Sequence, residues 1–140
     1  MPLKRISIQI RKASLVFEKY ANQLLLPYDL TASQFKILML LLRSKEGELR
    51  QTDLEKFFCM TNPTVTGLVQ NLEKKGLICR KTDPEDKRSK LLTPSARTQA
   101  MKEKLFSLSD QLEARMTENL TEEECSLLRE LLAKILNEPV

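Results

Sequence analysis

The stretch from Thr61 to Leu92, TNPTVTGLVQNLEKKGLICRKTDPEDKRSKLL, constrains the fold more than any other because it sets five local signals in direct succession. Thr61 or Asn62 can cap a helix, and Pro63 sits in its first turn, where a missing N–H costs nothing. Val65, Leu68, Val69 and Leu72 recur at i, i+3, i+4 and i+7, which puts one apolar stripe on that helix. Lys74 and Lys75 suit the negative end of the helix dipole, and Gly76 supplies a left-handed stop. Leu77-Ile78-Cys79 reads as a strand and Asp83-Pro84 as a turn. The charged loop Asp83 to Lys90 then returns as Leu91-Leu92.

Composition narrows the setting. A chain of 140 residues predicts one domain with a real core, and 30% charged against 41% hydrophobic residues argues against both disorder and a membrane partner. The longest apolar run, Ile37 to Leu42, falls far short of the roughly 20 residues a spanning helix needs. No signal peptide is visible, so the expected address is the cytoplasm. Cys59, Cys79 and Cys125 are odd in number and lack CxxC spacing, and the chain has no His, which excludes a Cys/His zinc site. Cys59 and Cys79 read as buried, inert thiols. Cys125, in the last helix, is the remaining candidate for redox chemistry. With three glycines, no phosphate-cradling loop and no paired carboxylates in a pocket context, neither an enzyme nor a cofactor is expected. Residues 1–49 and 50–97 each carry a net charge of +4, and residues 98–140 carry −4, so a polyanion would face one part of the molecule only.

A first helix is predicted over about 5–26, with Ile6, Ile10, Ala13, Phe17, Tyr20, Ala21 and Leu24 on one face and Pro27 as its stop. Lys4, Arg5, Arg11 and Lys12 crowd the wrong end of its dipole, at roughly a few tenths of a kcal/mol each. Thr31 and Gln34 make a capping box, and Leu30 and Phe35 a hydrophobic staple. The helix they open is apolar on most sides and should be the most buried. Lys45 to Glu48, with Gly47, predicts a break, and Leu49 to Phe58 a third helical piece. Thr93-Pro94 reads as the start of a long helix with Leu105, Leu108 and Leu112 on its stripe. Thr121 and Glu124 form a second capping box, for a last helix lined by Leu128, Leu131, Leu132, Ile135 and Leu136. The first helix and the last two lie outside the compact middle, so their stripes need a cover. A second copy of the chain supplies one most simply; an intrachain bundle is the alternative.

A short helix followed by a basic-tipped hairpin is a winged helix-turn-helix layout, which can set a helix in one DNA groove and a loop in the next. With the apolar stripe turned inward, the outward arc is Pro63, Thr64, Thr66, Gly67, Gln70, Asn71 and Lys74, with Thr61 and Asn62 at its N-terminal edge. Gln and Asn can bond adenine bidentately, and Thr offers thymine a hydroxyl and a methyl. A mid-helix glycine costs about 1 kcal/mol against alanine, so Gly67 implies a close approach to a base edge or phosphate. At the hairpin tip Lys87 and Arg88 are the candidate cations, and Arg88 suits a narrow minor groove. Asp86, two residues earlier, is placed to orient the guanidinium. The bland readings are a solvated polar face and a surface ion pair worth under about 1 kcal/mol.

Over essentially its whole length the chain resembles the MarR family of bacterial transcription regulators. The resemblance rests on the entry run Leu30-Thr31-Ala32-Ser33-Gln34-Phe35, on Thr64-Val65-Thr66 through Leu72-Glu73-Lys74-Lys75-Gly76-Leu77-Ile78, and on Asp86-Lys87-Arg88-Ser89. It implies a mainly α fold with a small β-hairpin wing, as a single domain over 1–140. About 30–93 would form the winged helix-turn-helix, and about 1–28 and 94–140 the dimerisation helices. It further implies a homodimeric repressor on a pseudo-palindromic DNA operator, with Arg88 as the wing arginine and Asp86 as its paired aspartate. A small aromatic acid would bind between the dimer helices and the winged unit to relieve repression. Three positions depart from the family pattern: the Arg88 to Thr93 return is two residues short, Ala96 replaces a common glycine, and Gly67 replaces a larger, often basic residue. A winged-helix protein-interaction module and a redox-responsive regulator are the competing readings.

Overall fold

The computed structural model describes residues 4–44 and 48–139. The elements run α1 (Ile6–Leu25), α2 (Ala32–Arg43), β1 (Leu49–Arg50), α3 (Gln51–Phe58), α4 (Asn62–Lys74), β2 (Ile78–Thr82), β3 (Lys90–Pro94), α5 (Ala96–Ala100), α6 (Lys102–Met116) and α7 (Glu122–Leu136). The chain is thus mainly helical with a three-stranded antiparallel sheet of order β1-β3-β2. Among the described residues no single helix is long and apolar enough to cross a membrane.

The core is centred on α2, as its apolar circumference predicts: Ile37, Leu38 and Leu41 are buried, and Leu25, Leu54, Val65, Val69, Leu72, Leu92 and Leu105 converge on them. Local chemistry starts this helix. The Thr31 hydroxyl accepts from Gln34 N–H at 3.2 Å, and the Gln34 side-chain oxygen Oε1 accepts from Thr31 N–H at 3.1 Å. Leu30 and Phe35 close the staple as buried neighbours. Thr121 and Glu124 repeat the reciprocal bonding at the start of α7, at 3.1 and 2.9 Å.

Three boundaries differ from expectation. Leu49 and Arg50 do not begin a helix; they form β1, opposite Leu92 and Leu91, because Leu49 gains cover only from a strand distant in sequence. Thr93 and Pro94 do not cap a helix either. They extend β3 opposite Cys79 and Ile78, and Ser95 becomes the cap by accepting from Thr98 N–H at 3.2 Å. The long helix is broken at Met101, whose φ of −94° and ψ of 2° leave the helical region, so α5 and α6 are separate. The short return from Arg88 still yields a complete ladder, with every residue from Ile78 to Thr82 paired to one from Pro94 back to Lys90. The predicted break at Lys45 to Glu48 falls mostly on residues 45–47, outside the described residues.

The C-terminal end of α4 is fixed from two sides. Lys75 Nζ donates to the Asp29 carbonyl at 2.5 Å and to Gln34 Oε1 at 3.1 Å, which ties it to the α1–α2 corner. Arg97 of α5 donates to the Lys75 carbonyl at 3.1 Å. Asp29 itself is left-handed (φ 54°), a conformation its short polar side chain tolerates. Behind the corner the buried Thr98 hydroxyl donates to Leu77 O at 2.6 Å.

The predicted stripe of α1 is only half used within the chain. Ala21 and Leu25 are buried, and Phe17, Tyr20 and Leu24 pack against the core, but Ile6, Ile8, Ile10, Leu15 and Val16 face outward. On α7 only Ala133 is buried, while Leu127, Leu128, Leu131, Ile135 and Leu136 are exposed.

Candidate nucleic-acid interface

Helix α4 presents the predicted polar arc. Val65, Val69 and Leu72 are buried and Leu68 is half-buried, while Asn62, Pro63, Thr64, Gln70, Asn71 and Lys74 are exposed. Thr66 and Gly67 lie at the margin, half-buried. Thr61 occupies the cap position without a side-chain capping bond; its hydroxyl pairs instead with that of Thr64 at 2.9 Å. Asn62 begins the helix and donates from Nδ2 to Glu55 Oε2 at 3.3 Å. Gln51 Nε2 donates to Thr66 Oγ1 at 2.7 Å, holding α4 against the start of α3. Gln70, Asn71 and Lys74 have no side-chain bond among the described residues. Their hydrogen-bonding capacity is therefore spare. A Cβ built on Gly67 would meet nothing within 4 Å, so no neighbour in the chain requires glycine there.

The wing tip is a small hydrogen-bonded turn. Asp83 N–H donates to Ser89 O at 3.1 Å, and Ser89 N–H to Asp86 O at 3.0 Å. The Asp86 carboxylate accepts from Arg88 N–H at 3.0 Å and from the Ser89 hydroxyl at 3.4 Å. This corrects the expected Asp86–guanidinium contact. An aspartate two residues upstream reaches a backbone N–H more readily than the far end of an arginine, as in an Asx-turn. Asp86 shapes the tip, and the Lys87 and Arg88 side chains project into solvent without an ion-pair partner among the described residues. Nearby cations are partly neutralised: Arg80 pairs with Glu73 at 3.0 Å and Lys81 with Glu48.

Sequence reasoning missed the anchoring acid. Asp83, read only as a turn residue, has a side chain 4% exposed and bonded to Arg50 from Nε at 2.9 Å and Nη2 at 2.7 Å. It also accepts from Glu85 N–H at 2.9 Å. That amide, and then the guanidinium, hold its carboxyl below the ordinary 3.8, against the opposing effect of burial. The signal was a buried-type Asp-Pro turn in a chain with an arginine far upstream, which no local pattern connects.

The cysteine expectation is also corrected. Cys59 and Cys79 are exposed, Cys59 at the left-handed end of α3 and Cys79 on β2; Cys125 is half-buried. A cleft of about 420 Å³ opens between α1 and α6, lined by Tyr20, Gln23, Leu24, Gln111, Leu112 and Arg115. The Arg115 guanidinium stands 4.6 Å from the centre of the Tyr20 ring. An arginine keeps its charge at any physiological pH, so the cleft carries a cation beside two amides and an apolar floor.

A helix with an open polar arc, braced by a second helix and followed by a basic-tipped hairpin on a three-stranded sheet, defines a winged helix-turn-helix regulator. The MarR family model matches residues 30–90, and the multiple antibiotic resistance protein MarR of Salmonella typhimurium is 31% identical over 137 residues, covering 97% of this chain and 92% of that protein. The chain belongs to the MarR family. Among solved structures, a MepR–DNA complex from S. aureus superposes with a TM-score of 0.84 at 32% identity, covering 95% of this chain and 97% of that one. A cysteine-to-serine variant of MarR from E. coli, complexed with operator DNA, gives 0.83 at 28% identity, covering 97% and 94%.

Proposed function

We propose that the protein is a homodimeric, sequence-specific transcriptional repressor, with α4 in the major groove of operator DNA and Arg88 in the adjacent minor groove. The observation that carries this reading is the unspent side-chain chemistry of Gln70, Asn71 and Lys74 on α4, beside a wing tip whose Lys87 and Arg88 are unpaired among the described residues. Likeness to two DNA-bound relatives supports it. Amides on a helix face read base edges, and a projecting arginine senses groove width. Thr61, Asn62, Pro63, Thr64 and Thr66 sit at the N-terminal half of the helix, where backbone N–H groups meet phosphates.

Dimerisation follows from the uncovered faces. Ile6 is 67% exposed, Leu131 47% and Ile135 54%, a density of apolar surface on α1 and α7 that a second copy would bury. Residues of about 1–28 and 94–140 would form those arms. The α1–α6 cleft, with Arg115 over an apolar floor, suits a small aromatic acid whose binding would change the spacing of the two α4 helices and relieve repression in the cytoplasm.

Footprinting on the DNA upstream of the protein's own gene tests the reading. The expected footprint is pseudo-palindromic, with half-site centres about 10 bp apart. A single unsymmetrical protected half-site would refute the dimer geometry. Gln70→Ala and Asn71→Ala should each relax preference at particular base pairs by about 1–3 kcal/mol, while leaving non-specific affinity in place.

A further inference from the structure

Arg50 and Gln51 are consecutive residues whose side chains diverge to the two elements that face DNA. Arg50 reaches the wing, through a hydrogen bond from Nε to Asp83 Oδ2 at 2.9 Å and an ion-pair contact of Nη2 with the same oxygen at 2.7 Å. Gln51 reaches the recognition helix, through its bond to Thr66 at 2.7 Å. Between them the backbone is held firmly: Arg50 pairs with Leu91 of β3, and its N–H donates to Asp53 Oδ2 at 2.9 Å. On the wing side Asp83 is equally determined, its carboxylate also holding Glu85 N–H and its own N–H holding Ser89 O. The wing tip thus reaches α4 through a chain of short polar contacts that begins five residues before Arg88.

We infer that Arg50 and Asp83 are positioning residues for DNA binding, a clamp that sets the angle of the wing to α4 so that Arg88 meets its groove when the helix is seated. Neither side chain needs to touch DNA. Asp83 is buried, and Arg50 directs Nε and Nη2 to it, Nη2 also lying 4.0 Å from Glu85. A hairpin joined to the body only by its two strands pivots about its base. Two guanidinium nitrogens converging on one carboxylate oxygen, Asp83 Oδ2, hold the planar fork in one orientation, which a lysine in place of Arg50 would not do. The inference rests on the reading of Arg88 as a DNA contact.

A double-mutant cycle separates the two ideas. Operator affinity is measured by fluorescence anisotropy for the parent, Arg88→Ala, Asp83→Asn and the double variant, at several salt concentrations. In the parent, Arg88→Ala should weaken binding roughly 10-fold and lower the salt slope by about 1. In the Asp83→Asn background, where the tip is no longer aimed, the same substitution should cost less than about 3-fold, because contacts acting through one another are not additive. Equal losses in both backgrounds would overturn the clamp and leave Arg88 standing as a contact. No loss in the parent would overturn the wing reading, and the clamp with it. If circular dichroism shows Asp83→Asn to be unfolded, Arg50→Lys carries the same cycle, since it keeps the charge and removes the fork. A purely structural role would lower melting temperature without changing the apparent contribution of Arg88.

Discussion

Replacing Gly67 with alanine should move stability and DNA affinity in opposite directions. In the free protein the added methyl enters open space, with nothing within 4 Å of it, so no steric penalty enters the sum. What remains is backbone entropy: alanine in a helix interior is favoured over glycine by about 0.5–1 kcal/mol. For a chain of this size that corresponds to a rise of about 2–5 °C in melting temperature. On DNA the same methyl occupies the outward arc between Thr66 and Gln70, where a close backbone approach would leave it no room. Operator affinity should fall roughly 10-fold or more, about 1.4 kcal/mol. Calorimetric melting reads the first quantity and anisotropy titration on the footprinted operator the second. A variant that is more stable and binds as tightly as the parent would refute the close-approach reasoning, and a less stable one would refute the open-space geometry.

Three further outcomes follow from the same contacts. Arg88→Ala should weaken operator binding by about 1–3 kcal/mol across sequences, and unchanged affinity at moderate salt would remove the wing from the interface. Asp83 should contribute to acid stability with a definite sign. Its folded pKa lies below 3.8, so its contribution is complete above that value and lost as pH falls through the lower folded one. Asp83→Asn should therefore flatten the acid unfolding curve below pH 3.8, and an unchanged profile would contradict the clamp's electrostatics. Leu131→Glu would place a charge on the apolar face of α7, and light scattering should show a shift from dimer toward monomer at micromolar concentration. A dimer of undiminished strength would move the interface elsewhere.

Features determined within a few residues were legible in advance. The reciprocal bonds of Thr31 with Gln34 and of Thr121 with Glu124 span one helical turn, so spacing alone reveals them. The α4 arc was legible for the same reason, because helical periodicity assigns faces without knowledge of the partner. What escaped was set at a distance. A strand as short as Leu49–Arg50 exists only because Leu92 and Leu91 lie alongside it. Thr93-Pro94 has the local chemistry of a helix start, and pairing with Cys79 and Ile78 overrides it. Asp83 and Arg50 are separated by the whole of α3 and α4, so their bond has no local signature. Asp86 shows the reverse failure: the acid was identified, but its short reach directs it to an amide rather than to the guanidinium.

The corner at Lys75 has a consequence for evolution. Asp29, Gln34 and Arg97 grip the C-terminal end of α4 from the α1–α2 corner and from α5. In the proposed dimer, the separation and twist of two such helices would then be set by contacts at this corner. Each base pair added between half-sites would rotate one about the DNA axis by roughly 34°, beyond what so rigid a joint could follow. On that reading, spacer length and base sequence would be inherited separately. If α4 reads bases as proposed, a lineage could rewrite the letters by changing Gln70 or Asn71, but to alter the gap between them it would first have to loosen this joint.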